Sequence, residues 1–411
     1  MTPLSAFTDV PTAIEEIRSG RMVVVVDDED RENEGDLIMA AEDVTPESMA
    51  FFLEHTSGVF CVPLESQRAD ELDLPLMVVA NTEAQRTAFT VTVDYRHGTS
   101  TGISASDRAA TVRALIDPAT RPNDLNRPGH IFPLRYRAGG VLKRAGHTEA
   151  TVDLCRLAGK YPSGVLCEVV TADKTGMARL PELEEFARRH ALPIITIADL
   201  IRYRRHHEKL VKRIAEASLP TEFGQFQAFV YESVLDGEQH MALVYGDITN
   251  ARNVLVRVHS ECLTGDALGS LRCDCGPQLH TALAKIAAEG TGVVVYLRGH
   301  EGRGIGLGHK IRAYALQEDG HDTVDANLEL GLPVDSREYG IGAQILVDLG
   351  VTTMRLMTNN PSKYGGLEGF GLNIVERVAL ESRPTEFNIE YLRTKRERMG
   401  HLLGGLDDDV E

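Results

Sequence analysis

The sequence predicts an α+β, or mixed α/β, architecture of two domains, each a mixed sheet covered by helices, the second carrying a zinc site. Three observations carry that expectation. The 411 residues exceed what one hydrophobic core ordinarily serves. Short apolar runs alternate with helix-like stretches. Three of the six cysteines, Cys262, Cys273 and Cys275, crowd into fourteen residues of the second half.

In the first half the apolar runs 22–26, 165–170 and 193–197 read as strands, and 107–116 and 148–157 as helices. Residues 199–217 read as one basic helix that Pro220 prevents from continuing. A linker helix and boundary are therefore expected at 203–220, between domains at 1–202 and 206–411. Beyond it, 226–231, 241–245 and 254–258 read as strands leading into the cysteine segment. Then 278–289 reads as an amphipathic helix, 293–297 as a buried strand, and 310–319 and 342–349 as helices. The Asp-Asp-Asp-Val-Glu end reads as a solvated tail.

Composition narrows the function. A chain 43% hydrophobic and 25% charged is globular, and no apolar run reaches the length of a membrane span. The start lacks a basic region followed by an apolar one, so a cytoplasmic location is expected. A net charge of −18 disfavours nucleic acid and anionic membranes, which need a basic face. Local cations at Arg298–Arg303 and Arg144–His147 instead suit small phosphorylated substrates. Cys61, Cys155 and Cys167 lie scattered in apolar segments, as reduced packed thiols do.

Directly after the first strand, residues 27–36 hold seven carboxylates in ten positions. A solvated charge run is one reading; a loop at a strand end that turns carboxylates toward a hard cation is the other. This loop, Thr101-Gly-Ile-Ser-Ala-Ser-Asp-Arg108, Arg127-Pro-Gly-His130 and Arg144-Ala-Gly-His-Thr-Glu149 together resemble 3,4-dihydroxy-2-butanone 4-phosphate synthases, over about residues 6–202. The resemblance implies that D-ribulose 5-phosphate loses C4 as formate, assisted by Mg2+ or Mn2+ on Glu32 and His147. It also implies substrate contacts from Arg31, Glu32, Asp36, Arg144, Ala145, Gly146, His147, Thr148 and Glu168, with the phosphate near Arg144 and Thr148. His130 and Glu168 carry over as catalytic, and Cys61 and Glu34 match positions near the family's substrate site. The chemistry suits the residue types, since enolisation needs a base and the enediolate a cation.

The cysteine spacing suits one soft metal ion. A structural zinc takes four protein ligands, whereas a catalytic zinc takes three and leaves a position for water. His259 or His280 could supply a fourth, so spacing alone leaves both readings open. Arg298-Gly-His-Glu-Gly-Arg-Gly-Ile-Gly306 follows a strand and opens a helix, as anion-binding loops do. With Arg257-Val-His-Ser-Glu-Cys262, Arg272-Cys-Asp-Cys-Gly-Pro-Gln278 and Thr358-Asn-Asn-Pro, the second half resembles GTP cyclohydrolase II over about residues 206–400.

That resemblance implies conversion of GTP to a 2,5-diamino-6-ribosylamino-pyrimidinone 5′-phosphate, formate and pyrophosphate. One Zn2+ per cyclohydrolase domain, on Cys262, Cys273 and Cys275, would activate the water that attacks C8. Arg257, Val258, His259, Ser260, Glu261, Gln278, Glu301, Gly302, Arg303, Thr323, Thr358 and Lys363 carry over as GTP-binding positions. Asp335 carries over as proton acceptor and Arg337 as a group acting at the α-phosphorus, with Tyr314 near the zinc. Guanidinium is protonated at neutral pH, so electrostatic stabilisation suits Arg337 at least as well as nucleophilic attack. The expectation is a bifunctional enzyme supplying both starting units of riboflavin, acting on small molecules and not on nucleic acid or membranes, as a homodimer through like domains. Its rivals are a chain with one catalytic half and one scaffold, and a GTP-binding regulator with a structural zinc.

Overall fold

The computed structural model describes residues 7–28, 31–83, 85–318, 322–332, 337, 339–360, 370–380 and 384–404. The chain divides into two compact units, Met1–His207 and Glu208–Glu411.

The first unit is built on seven strands: β1 (Val23–Val26), β2 (Gly35–Ala40), β3 (Cys61–Leu64), β4 (Val93–Tyr95), β5 (Leu125–Arg135), β6 (Gly164–Glu168) and β7 (Ile194–Thr196). They lie in the order β4-β5-β3-β6-β2-β1-β7. The sheet is mixed, with β1 antiparallel to β2 and parallel to β7. Both faces are covered, which explains the unbroken Val-Val-Val-Val of β1. Val24 and Val26 pack with Leu37 and Met39 against the helices Pro46–His55, Ala105–Ile116 and Leu180–His190. Val23 and Val25 pack with Ile38 against Val10–Arg18, His147–Leu157 and Ile197–His207. Each fully buried apolar side chain contributes about 1.5–3 kcal/mol, so these layers hold the loops at the strand ends in place.

The second unit carries β8 (Val211–Thr221), β9 (Gly224–Ser233), β10 (Gln239–Tyr245), β11 (Val254–Ser260), β12 (Gly292–Leu297), β13 (Thr353–Met357) and β14 (Asn373–Val378). Their order is β14-β13-β11-β12-β10-β9-β8. The run β14-β13-β11-β12 is parallel, and β10, β9 and β8 extend it antiparallel. On β11, Val254, Val256 and Val258 face the helix Gly340–Asp348, whereas Leu255 faces the helix Cys275–Glu289. From β11 the chain crosses to β12 and then returns past it to β13, which makes the end of β11 a topological switch point.

One expectation fails. Residues 199–217 are not one helix, and 203–220 is not a linker helix: the helix ends at His207, and Val211–Thr221 is an edge strand paired along its length with β9. Its Lys, Arg, Glu and Ala content mimics a helix, but tertiary pairing overrides propensity. Pro220 is tolerated because an edge strand has one side without ladder hydrogen bonds. No helix among the described residues is long and apolar enough to cross a membrane.

Candidate active sites

In the first unit the acidic loop joins the antiparallel pair β1 and β2. Asp27 organises it: Oδ2 accepts from Arg31 Nη1 at 2.8 Å and from the Glu32 amide at 3.1 Å, and Oδ1 from the Glu34 amide at 2.8 Å. Arg179 closes the loop from outside, donating to the Glu32 carbonyl at 2.9 Å and to that of Asn33. Asp27, Glu32 and His147 then each offer a ligand atom within 4.8 Å of the others.

His147, in the first turn of its helix, is buried with Nε2 3.1 Å from the Val25 carbonyl. A carbonyl accepts, so Nε2 carries a proton and Nδ1 faces the carboxylates, 3.6 Å from Glu32 Oε2 and 3.7 Å from Asp36 Oδ1. Burial opposes the imidazolium, but Asp36, Glu32 and Asp27 outweigh it and raise its pKa to about 9. Burial raises Asp36 to about 8, and its Oδ1 accepts no hydrogen bond among the described residues. Excess negative charge and an orphaned buried oxygen fit a divalent cation, which would take the place of the His147 proton.

Asp36 lies opposite Glu168 in the β2–β6 ladder, so both side chains leave one face. Glu168 accepts from Ser57 Oγ at 2.6 Å. Cys61, buried on β3, has its thiol pushed up by burial and by Glu168, which keeps it protonated. Burial likewise raises Glu34. His130 stands on β5, separated from β2 by β3 and β6 in the sheet order, with Nδ1 2.7 Å from Asp94 Oδ2. Arg144 is fixed by Glu149 at 2.8 Å and Thr87 at 3.0 Å. A Cβ on Gly146 would meet both Arg144 and Arg31, so the two guanidinium groups converge over the start of the helix His147–Leu157. Arg31, Arg144, Ala145 and Thr148 line one cavity there.

In the second unit, Cys262 follows β11, Cys273 lies just after the turn at Leu271 and Arg272, and Cys275 opens the helix Cys275–Glu289. The three sulfurs lie within 4.8 Å of one another, and no histidine joins that group among the described residues. His259 is instead held by both oxygens of Asp266 at 3.1 Å and stacks on Tyr296. His280 lies against Phe223. The closed Cys3His arrangement therefore does not form here. Cys273 and Cys275, with Lys310 at 3.1 Å, hold Cys262 as the thiolate, and the shared proton raises Cys273 to about 11.

These sulfurs line the same cavity as Arg257, His259, Ser260, Glu261, Gln278, Gly302, Arg303, Tyr314, Arg337 and Thr358. Alternation along β11 explains the split, because Arg257 and His259 point to the cavity while Val258 is buried in the core on the opposite face. Glu301 is brought close with both oxygens engaged, accepting from the Leu263 amide at 2.7 Å and from Lys310. Gly302 and Arg303 both hold left-handed backbone, φ 60° and 67°, a cost for Arg303 that marks a shaped loop. The side chain of Thr323, all of Asp335 and Lys363, and the acidic tail lie outside the described residues.

The profile described as 3,4-dihydroxy-2-butanone 4-phosphate synthase matches residues 11–203, and that described as GTP cyclohydrolase II matches residues 212–379. The probable bifunctional riboflavin biosynthesis protein RIBA 1, chloroplastic, of Oryza sativa subsp. japonica is 61% identical over 98% of this chain and 75% of its own length. The riboflavin biosynthesis protein RibBA of Salinispora arenicola is 62% identical over 97% of this chain and 95% of its own. The chain belongs to the bifunctional riboflavin biosynthesis proteins. It is an enzyme with a lyase half and a hydrolase half, as the sequence led us to expect. A solved two-domain 3,4-dihydroxy-2-butanone 4-phosphate synthase from A. baumannii, RibBX, shares the fold with TM-score 0.69 and 38% identity, covering 90% of this chain and 100% of that one.

Several supports of this bifunctional enzyme's sites escaped the sequence. Ser57, Asp94 and Arg179 in the first unit, and Lys310 and Lys395 in the second, lie far along the chain from the groups they hold. Asp266 and Asp274 lie close to theirs, and no role was read for them. Asp27 had a signal, being the first carboxylate after the strand.

Proposed function

We propose that the first domain converts D-ribulose 5-phosphate to L-3,4-dihydroxy-2-butanone 4-phosphate and formate. The second domain, in this reading, hydrolyses GTP to 2,5-diamino-6-ribosylamino-4(3H)-pyrimidinone 5′-phosphate, formate and pyrophosphate. The carrying observation is that the three sulfurs share one cavity wall with Arg257, Gln278, Arg303, Arg337 and Thr358, a soft-metal site beside an anion-binding surface.

In the first domain Arg144, Arg31, Thr148 and the helix amides receive the phosphate. Glu32 and His147 would hold Mg2+ or Mn2+, which supplies charge stabilisation for an enediolate. Asp94 accepts the Nδ1 proton of His130 and so keeps Nε2 as the basic nitrogen toward substrate. Glu168, aligned by Ser57, stands on the same sheet face as Asp36 to move the second proton.

In the second domain Cys262, Cys273 and Cys275 would hold Zn2+, which supplies a Lewis acid able to make a water nucleophilic near neutral pH. Arg257 and Gln278 are joined at 2.7 Å and orient the nucleotide, and Arg303 and Thr358 receive its phosphates. Arg337 stabilises charge at the α-phosphorus, and Asp335 takes the proton. We further infer a cytoplasmic homodimer through like domains; the exposed apolar run Leu76–Val79 gives such a surface.

The test is to incubate the purified chain with each substrate separately, measure formate and pyrophosphate, and repeat after chelation. Formate from both substrates, lost on chelation and restored by the matching metal, is the expected result. Absence from either removes that half of the proposal.

A further inference from the structure

The cyclohydrolase profile ends at residue 379, yet the helix Ile389–Met399 packs onto the cavity it describes. Tyr391, Lys395 and, just beyond, His401 line that cavity together with the cysteines. Leu392, 2% exposed, anchors the helix, and the Leu402 amide donates to the Asn359 carbonyl at 2.8 Å. The segment thus seats at both ends of the wall that also carries Thr358.

What Lys395 does there follows from a chain of contacts. Its Nζ donates to Asp274 Oδ1 at 2.7 Å, and the two side chains are 11% and 1% exposed. Asp274 sits between the candidate metal ligands Cys273 and Cys275, at the N-cap position of the helix Cys275–Glu289. Its other oxygen accepts from Gln278 Nε2 at 2.6 Å. That bond fixes the amide, so Gln278 Oε1 accepts from Arg257 Nη2 at 2.7 Å, and Arg257 Nη1 donates to the Met357 carbonyl at 2.9 Å. Every bond has a charged group at one end, and the order of donors and acceptors admits no reversal along it. Lys395 also stands 4.5 Å from the centre of the Tyr391 ring, which holds the ammonium in one place.

We propose that Lys395 is a positioning residue of the cyclohydrolase site, supplied by a helix beyond the matched segment. Through Asp274 it sets the Gln278 amide and thereby aims the Arg257 guanidinium at the nucleotide. The proposal rests on the assignment of this cavity to GTP. A helix present for packing alone would need no cation facing Asp274, because burying an ion pair costs desolvation that a well-packed apolar pair avoids.

The experiment uses the full chain with K395M, K395R, D274N and the double variant K395M/D274N, reading kcat and KM for GTP, zinc content, and formate from ribulose 5-phosphate. K395M is expected to raise KM for GTP roughly tenfold, the size of one charge-assisted bond lost, with kcat changed less and zinc and the other activity unchanged. K395R is expected to recover most of the loss. D274N should match K395M, and the double variant should be no worse than either, since the two act in series. The double variant leaves neither Lys395 nor Asp274 as an unpaired buried charge, so its kinetics separate lost positioning from the strain that K395M alone puts on that pair. Multiplying effects in the double variant, unchanged kinetics in K395M, or zinc lost in proportion to activity would each overturn the proposal. Wild-type protein inert toward GTP would remove the cavity assignment and the proposal with it.

Discussion

Gly265 lies against the cysteine cluster: a Cβ there would stand 2.7 Å from Cys273 Sγ, 3.1 Å from Cys262 Sγ and 3.2 Å from Cys275 Cβ. G265A is therefore expected to lower the metal content of the chain and its GTP turnover while sparing formate release from ribulose 5-phosphate, as metal analysis beside both assays would show. Asp107 poses a different single-residue test. Hydrogen bonds from Ser100, first its hydroxyl and then its amide, with that of the Gly102 amide, hold its carboxyl below the usual range. A carboxylate depressed in the folded state contributes stability that is present above its unfolded pKa of about 4 and is lost as pH falls through the folded value. D107N should be less stable than the parent at pH 7, with the difference closing in acid, measured by urea unfolding across pH. The cysteines were legible in the sequence because their spacing is local, whereas Glu32 and His147, far apart in the chain, followed only from the family resemblance. Their supports were not: Asp94 lies 36 positions from His130, and Lys310 lies 48 from Cys262. Nothing short of the fold brings those pairs together.

Among elements, buried strands such as β1 and β12 were readable because both faces of each sheet are covered and these strands are almost wholly apolar, whereas β2, which opens on Gly35 and Asp36, and β3, which holds Pro63, are as buried and were not read as strands. The edge strand β8 was not, since an exposed edge selects charged residues that also favour helices. The switch point at β11 explains why the cysteines, the glycine-rich turn and Thr358 meet: they follow the carboxyl ends of β11, β12 and β13 respectively. The helix Cys275–Glu289 fixes this edge through Ala282, Leu283 and Ile286. I286A should cost about 2–5 kcal/mol, as large-to-small changes in packed cores do, and lower the denaturation midpoint of the second domain.

For the molecule as a whole, the two units have separate cores, and each candidate site is assembled within its own unit. E32A should abolish formate release from ribulose 5-phosphate and leave GTP turnover intact, and C273S should do the reverse. Loss of both activities in either variant, assayed side by side, would mean that the halves fold interdependently. The distance between Cys262 and Cys273, 3.7 Å from sulfur to sulfur, has a further consequence for handling the protein. Two thiols that close need little movement to form a disulfide, so a metal held there would also protect them from air. Chelation under oxygen should leave a hydrolase that zinc alone does not revive and that zinc with a thiol reductant does, while the same treatment under nitrogen should be reversed by zinc alone.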